Sequence, residues 1–164
     1  MEDQARIGFP REMARKVLKR YAVTQPGTPL EEIARGEGLE ILYRRWPNSV
    51  GGLLLRKNRI IGVNSNHHPH RQRFSIAHEL GHYFLNHRLD DYEKNITLDN
   101  PAAGDDFSRI QNREADEFAS ELLVPLVIIK DSYKKIKDGR ALADIFNVSR
   151  EVMFIALEKH KLIR

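Results

Sequence analysis

Residues 74–87, FSIAHELGHYFLNH, set three histidines and a glutamate among mostly apolar neighbours. A helix through this stretch advances about 100° per residue. With His78 at the origin, His82 falls at about 40°, Ser75 at about 60°, Asn86 at about 80° and Glu79 at about 100°. Phe74, Ala77, Leu80, Phe84 and Leu85 gather between about 200° and 340° on the same projection. One stripe must therefore face the core while the other presents imidazoles and a carboxylate to a groove. Any fold for this chain has to accommodate a helix with two such faces, expected from about Arg71 to His87. His87, at about 180°, is expected to point away from His78 and His82.

His78-Glu79-Leu80-Gly81-His82 fits the pattern H-E-x-x-H, whose two histidines can bind one zinc ion from a single helical face. His78 and His82 are thus candidate zinc ligands, with Glu79 as the candidate catalytic base. Cysteine is absent, which excludes disulfides, thiolate metal sites and cysteine nucleophiles, so further ligands must be His, Asp or Glu. A catalytic zinc site usually takes three protein ligands and leaves a position open to water. The third is sought in Gln111–Pro125, QNREADEFASELLVP. As a helix, this segment buries Ala115, Phe118, Ala119, Leu122 and Leu123. Glu114 and Glu121 share one side of it, Glu117 points outward, and Asp116 lies at an edge suited to an outer partner. Periodicity leaves Glu114 and Glu121 both open.

The 164 residues suit one domain, and 41% hydrophobic with 30% charged residues is the composition of a folded soluble protein. No apolar run reaches the roughly 18 residues of a membrane span, and Met1–Pro10 lacks an apolar signal region, so a cytoplasmic location is expected. A net charge of +4 on interleaved acids and bases does not by itself imply nucleic acid. A helix is expected over Glu12–Ala22. A second, with Thr28 as cap and Pro29 first, should end near Gly36 or Gly38. Leu39–Trp46, Gly52–Arg56 and Arg59–Asn64 read as an antiparallel meander, with Lys57-Asn58 as a hairpin turn. Ser65–Gln72 reads as a polar loop holding His67, His68 and His70, and Arg88–Asn112 as a long acidic loop. Arg109–Val124 reads as a helix stopped by Pro125. Two helices follow in Gly139–Arg164, with Ala143 and Val148 at packing positions and Ser149 capping the second.

Arg73–His82, RFSIAHELGH, together with Glu114–Pro125, EADEFASELLVP, resembles the ImmA/IrrE family of bacterial zinc metallopeptidases. The meander and the segment Leu142–Ser149 fit the same family, so the resemblance spans most of the chain. It implies Glu114 as the third zinc ligand, Zn2+ as cofactor, and a regulatory protease whose substrate is a helix-turn-helix repressor. The implied fold class is α+β: a mainly helical zincin-like domain over 1–138 with a small three-stranded antiparallel sheet. A helix-turn-helix-like tail over 139–164 packs on the same unit. The tail's last helix offers few side chains that read base edges, which favours packing over DNA binding. The sequence names no residue to stabilise a developing oxyanion: His67, His68, His70 and Tyr83 are nearby in sequence, but Tyr83, at about 140°, lies off the ligand face. The alternative function is a zinc-holding regulator or toxin-antitoxin-type partner without turnover, or a DNA-binding module acting through the C-terminal helices.

Overall fold

The computed structural model describes residues 7–87, 96–98 and 106–164; of 96–98, 106 and 107 only the backbone is considered. The order of elements is α1 (Gly8–Arg20), α2 (Leu30–Gly36), β1 (Glu40–Arg44), β2 (Val50–Leu55), β3 (Ile60–Asn64), α3 (Pro69–Phe84) and β4 (Ile96–Leu98). Then come α4 (Asp106–Leu123), α5 (Leu126–Lys135), α6 (Gly139–Phe146) and α7 (Arg150–Lys159). The fold is α+β and mainly helical. No described helix is long and apolar enough to cross a membrane.

The sheet differs from the expected meander. Its order is β1-β3-β2-β4, with β1 parallel to β3 and both other pairings antiparallel. The three expected strands are therefore joined by a fourth, which lies within the stretch read as a loop. The hairpin between β2 and β3 does form: Arg59 N–H donates to Arg56 O at 3.2 Å, and Arg59 takes φ of 54°. The parallel pair arises because residues 45–49 cross over and deliver β2 to the far side of β3. Asn64, fully buried at the end of β3, holds that crossing. Its side-chain nitrogen lies 2.7 Å from Val50 O and 3.0 Å from Pro47 O, and its oxygen accepts from Asn66 N–H at 2.9 Å. Buried backbone carbonyls must find donors, and one carboxamide here supplies them to several loop residues.

The helices pack around α3. Its apolar side contributes Ile76, Ala77 and Leu80 to a core shared with Phe118, Ala119 and Leu122 of α4, Val17 and Leu18 of α1, and Leu54 and Ile61 of the sheet. Leu80, Phe118 and Leu122 are fully buried. Truncating any one to Ala would cost about 2–5 kcal/mol. The polar side of α3 is no open groove, since residues 75–82 are all buried.

Two local expectations are corrected. Thr28 does not cap α2; its hydroxyl donates instead to Leu122 O at 2.6 Å, tying the start of α2 to the end of α4. Pro125 does stop α4, but it also starts α5, a helix the sequence pattern had not suggested.

The last two helices turn as expected. Asn147 adopts the left-handed conformation, and Ser149 Oγ accepts from Val152 N–H at 3.1 Å. Val148, Phe146, Met153 and Leu157 join the same core as α3 and α4. Arg73 of α3 reaches the turn, donating from Nε to Asn147 O at 3.1 Å and from Nη2 to Thr28 O at 3.0 Å.

Candidate metal centre

The centre is built where α3 crosses α4, and two glycines set its depth. A Cβ on Gly81 would lie 3.1 Å from both Cα and O of Ala115, so the bare position lets α3 and α4 meet backbone to backbone. A Cβ on Gly52 would lie 2.8 Å from Gly62 O and 3.5 Å from Glu79 Cγ, so β2 rests directly on the Glu79 face of α3. Glu79 is fully buried between them, and His78 and His82 are 3% and 2% exposed. An imidazole pair and a carboxylate at that depth are costly to desolvate and need specific neighbours.

The two histidines aim their Nε2 atoms at one place, 3.0 Å apart. Two neutral imidazole nitrogens about 2.0–2.1 Å from a single zinc ion would sit at a comparable separation. Each ring is held from its other nitrogen. His78 Nδ1–H donates to Asp116 Oδ1 at 2.7 Å, the carboxylate-histidine pairing that fixes a ring's tautomer and leaves Nε2 as a lone pair. Asp116 thus takes the outer position suggested by its helix edge. His82 Nδ1 lies 2.9 Å from His87 Nδ1, and His87 Nε2 lies 3.2 Å from Glu114 Oε2.

This contradicts the expectation that His87 points away. The projection assumed a helix through residue 87, but α3 ends at Phe84 with Leu85 as its cap. Asn86 turns left-handed at φ 55°, and His87 N–H donates to His82 O at 3.0 Å, the reversed hydrogen bond of a Schellman ending. The chain doubles back and lays the His87 ring, 5% exposed, against His82. The signal was available: Asn is the usual residue after Gly at such an ending, and Asn86 stands there.

The two candidate third ligands are separated cleanly. Glu121 accepts from Arg15 Nε and from Leu126 N–H, each at 3.1 Å, so it joins α1 to the start of α5. Glu114 is buried at the centre and meets it through His87. From α4, Asn112, a residue the sequence reading did not single out, places its Oδ1 3.1 Å from His82 Nε2. Among the described residues no three His, Asp or Glu side chains close on one point as placed. His78 and His82 are brought together; Glu114 stands one ring away. The donor chemistry suits zinc: two converging imidazoles, a buried carboxylate on the adjoining helix, and an outer carboxylate fixing one ring.

Electrostatics divide the pair. Burial pushes His78 down, but the hydrogen bond and charge of Asp116, with Glu79 adding to them, more than offset it and leave its pKa raised. For His82, burial and then the neighbouring His78 and His87 hold the pKa well below the ordinary value.

The remaining expected polar groups are engaged elsewhere. His67 Nε2 lies 2.9 Å from Asn48 O, and His68 caps α3 by accepting from His70 N–H at 3.1 Å. Tyr83 donates to Glu37 Oε1 at 3.3 Å on the far side of α3. Strand β3, just before the metal helix, has both edges occupied, by β1 and β2; the outer strands are β1 and β4.

Known proteins can now be compared with this arrangement. The chain is 27% identical over 133 residues to the radiation response metalloprotease IrrE of Deinococcus deserti, covering 80% of this chain and 46% of that protein. It is 25% identical over 135 residues to the protein of the same name from Deinococcus radiodurans, covering 80% of this chain and 39% of that one. The chain therefore spans less than half the length of either relative. A solved structure described as a Mycobacterium tuberculosis transcriptional regulator superposes with a TM-score of 0.70 over 91% of this chain and 46% of that one. At 16% identity that likeness speaks for the fold. The model of the Peptidase M78 family, the IrrE N-terminal-like domain, matches residues 34–158, which takes in α3, α4 and both closing helices. The chain belongs to this family.

Proposed function

We propose that the protein is a cytoplasmic zinc-dependent metallopeptidase of regulatory type, whose substrate is a helix-turn-helix repressor. The observation that carries the reading is the convergence of His78 and His82 Nε2, 3.0 Å apart, beside the buried carboxylate of Glu79. His78, His82 and Glu114 would hold the ion. Zinc at that place supplies Lewis acidity toward water and a peptide carbonyl. Glu79 takes the proton from the attacking water and returns it to the departing amine, the ordinary work of a general base that becomes a general acid. Its burial against β2 keeps that carboxylate close to the reacting groups and away from bulk water. Asp116 keeps the His78 ring in the tautomer that can donate its Nε2 lone pair.

The metalloprotease names of the two Deinococcus relatives support a protease. The repressor substrate rests on the family resemblance in the sequence. The exposed positions of α7 include Glu151, Phe154, Ile155 and Glu158 with a single arginine, Arg150, a poor surface for a phosphate backbone. Packing, with no DNA contact, is the role we assign to the tail.

A second reading, a zinc-holding regulator without turnover, is favoured by one observation: Glu114 is engaged with His87. One experiment separates the two. Zinc-loaded protein is incubated with a repressor encoded beside it, and the products are read by mass spectrometry. The peptidase reading expects a discrete cut that disappears in Glu79→Gln while that variant still binds zinc. Intact repressor with both proteins, despite complex formation, would establish the regulator instead.

A further inference from the structure

Resting on the metal-site reading above, we propose that His87 is a positioning residue for the zinc site, holding the second histidine ligand and the carboxylate ligand in register. A ring that gives Nε2 to an ion must carry its proton on Nδ1, and that N–H needs an acceptor when it is buried. His82 Nδ1 faces a ring nitrogen, His87 Nδ1, at 2.9 Å. For His87 Nδ1 to accept, the proton of a neutral His87 must sit on Nε2, and Nε2 lies 3.2 Å from Glu114 Oε2, an acceptor. Every group in the series Glu114, His87, His82 then has its complement: the carboxylate accepts, His87 donates from Nε2 and accepts at Nδ1, and His82 donates from Nδ1. The direction of the series delivers the His82 Nε2 lone pair to the point shared with His78.

The backbone fixes the ring for this purpose. The left-handed turn at Asn86 and the His87 N–H to His82 O bond at 3.0 Å return the chain. Arg56 then clamps both residues by donating from Nη2 to His82 O at 2.9 Å and to His87 O at 3.3 Å. These contacts place His87 through the fold and owe nothing to an ion. His78 is served by Asp116 in the equivalent capacity, so the two ligands have different outer partners of matched function.

The test compares zinc affinity by competition with a chromophoric chelator in wild type, His87→Leu and His87→Gln, with thermal melts of each chain after chelation as the fold control. A carboxamide can accept on one side and donate on the other, whereas leucine can do neither. The expected result is a loss of about 10- to 100-fold for His87→Leu, the range typical of outer partners, with most of it recovered in His87→Gln. Nitrogen-detected NMR of the zinc-loaded wild type should show a neutral His87 carrying its proton on Nε2, a readout independent of whether the leucine variant folds. Unchanged affinity in His87→Leu, an equal loss in both variants, or a proton on His87 Nδ1 would each overturn the proposal. Failure of the wild type to bind zinc overturns the metal reading along with it. Absent cleavage with normal zinc binding would overturn the peptidase reading alone.

Discussion

His78 and His82 are the same residue type, one turn apart on one helix and equally buried, yet they are steadied by opposite kinds of neighbour. Asp116, on the His78 side, has a side chain that is 53% exposed, so that arm ends in a hydrated charge. On the His82 side, His87 and Glu114 are each 4% exposed, so that arm is a dry series of rings ending in a buried acid. The charged arm pulls His78 toward its protonated form, and the dry arm keeps His82 neutral. If both bind the proposed ion, the raised pKa of His78 opposes coordination more than the lowered pKa of His82 does.

The most severe way to break the comparison is to act on both arms together. Gly81→Val would force branched carbons toward Ala115 Cα and O, already 3.1 Å from a bare Cβ position. Separation of α3 from α4 would carry Asp116 and Glu114 away at once. We expect a loss of about 1–3 kcal/mol in folding stability by chemical denaturation, with weaker zinc binding in the chelator assay. Retention of both would show that the helices need not meet so closely.

A smaller effect isolates the hydrated arm. Asp116→Asn preserves an acceptor but removes the charge, and zinc affinity at pH 8 should fall about tenfold, the low end for an outer partner because water reaches this carboxylate. A loss larger than that of His87→Leu would reverse the ranking of the two arms.

The pH dependence sharpens the same point. Since the pKa of His78 is raised, its proton persists above the ordinary histidine value of about 6.5 and competes with the ion there. Zinc affinity should therefore keep rising with pH above 6.5, by up to about tenfold per unit for one displaced proton. In Asp116→Asn that rise should finish at lower pH. A flat wild-type profile above 6.5 would mean that His78 releases its proton earlier than its surroundings imply.

The smallest effect lies outside the site and serves as a control. Glu117 accepts from Arg11 Nε at 3.1 Å and forms an ion pair with Lys159, so one carboxylate links α1, α4 and α7. Burial would raise its pKa, but Lys159 and then Arg11 outweigh burial and lower it. A lowered folded-state pKa contributes stability above the unfolded value, near 4.5, that is lost as pH falls through the folded value. Glu117→Gln should therefore cost about 1 kcal/mol at pH 7. The gap from wild type should close below pH 4.5, leaving zinc affinity untouched at neutral pH.

How much of this was legible depended on whether the cause lay within one element. The faces of α3 followed from its own period, and so did the side of α4 carrying Glu114. The closing turn was equally local: Ala143, Val148 and Ser149 take their expected places because capping and packing there involve neighbours in sequence. The parallel pairing of β1 with β3 was hidden, because Asn64 enforces it on Pro47 and Val50, and a side-chain bond across 14–17 residues leaves no periodic trace. Thr28 misled for a similar reason: its hydroxyl suited a local cap, and a carbonyl 94 residues away took it instead. His87 was misplaced by extending a projection past the last helical residue. The acidic loop expected over Arg88–Asn112 lies mostly outside the described residues; within it stand the short strand β4 and the first residues of α4, which begins at Asp106 and not in a loop.

The Schellman ending of α3 also bears on how such chains are recognised. An insertion or deletion of one residue after Leu85 would leave H-E-x-x-H and the glutamate helix untouched, so the sequence would still pass a signature search. The ring that belongs against His82 would nonetheless have left, or another residue would occupy its place. On the proposed role of His87, the informative stretch of this chain runs five residues beyond the second histidine, and its final letters are read in the sharpness of a turn.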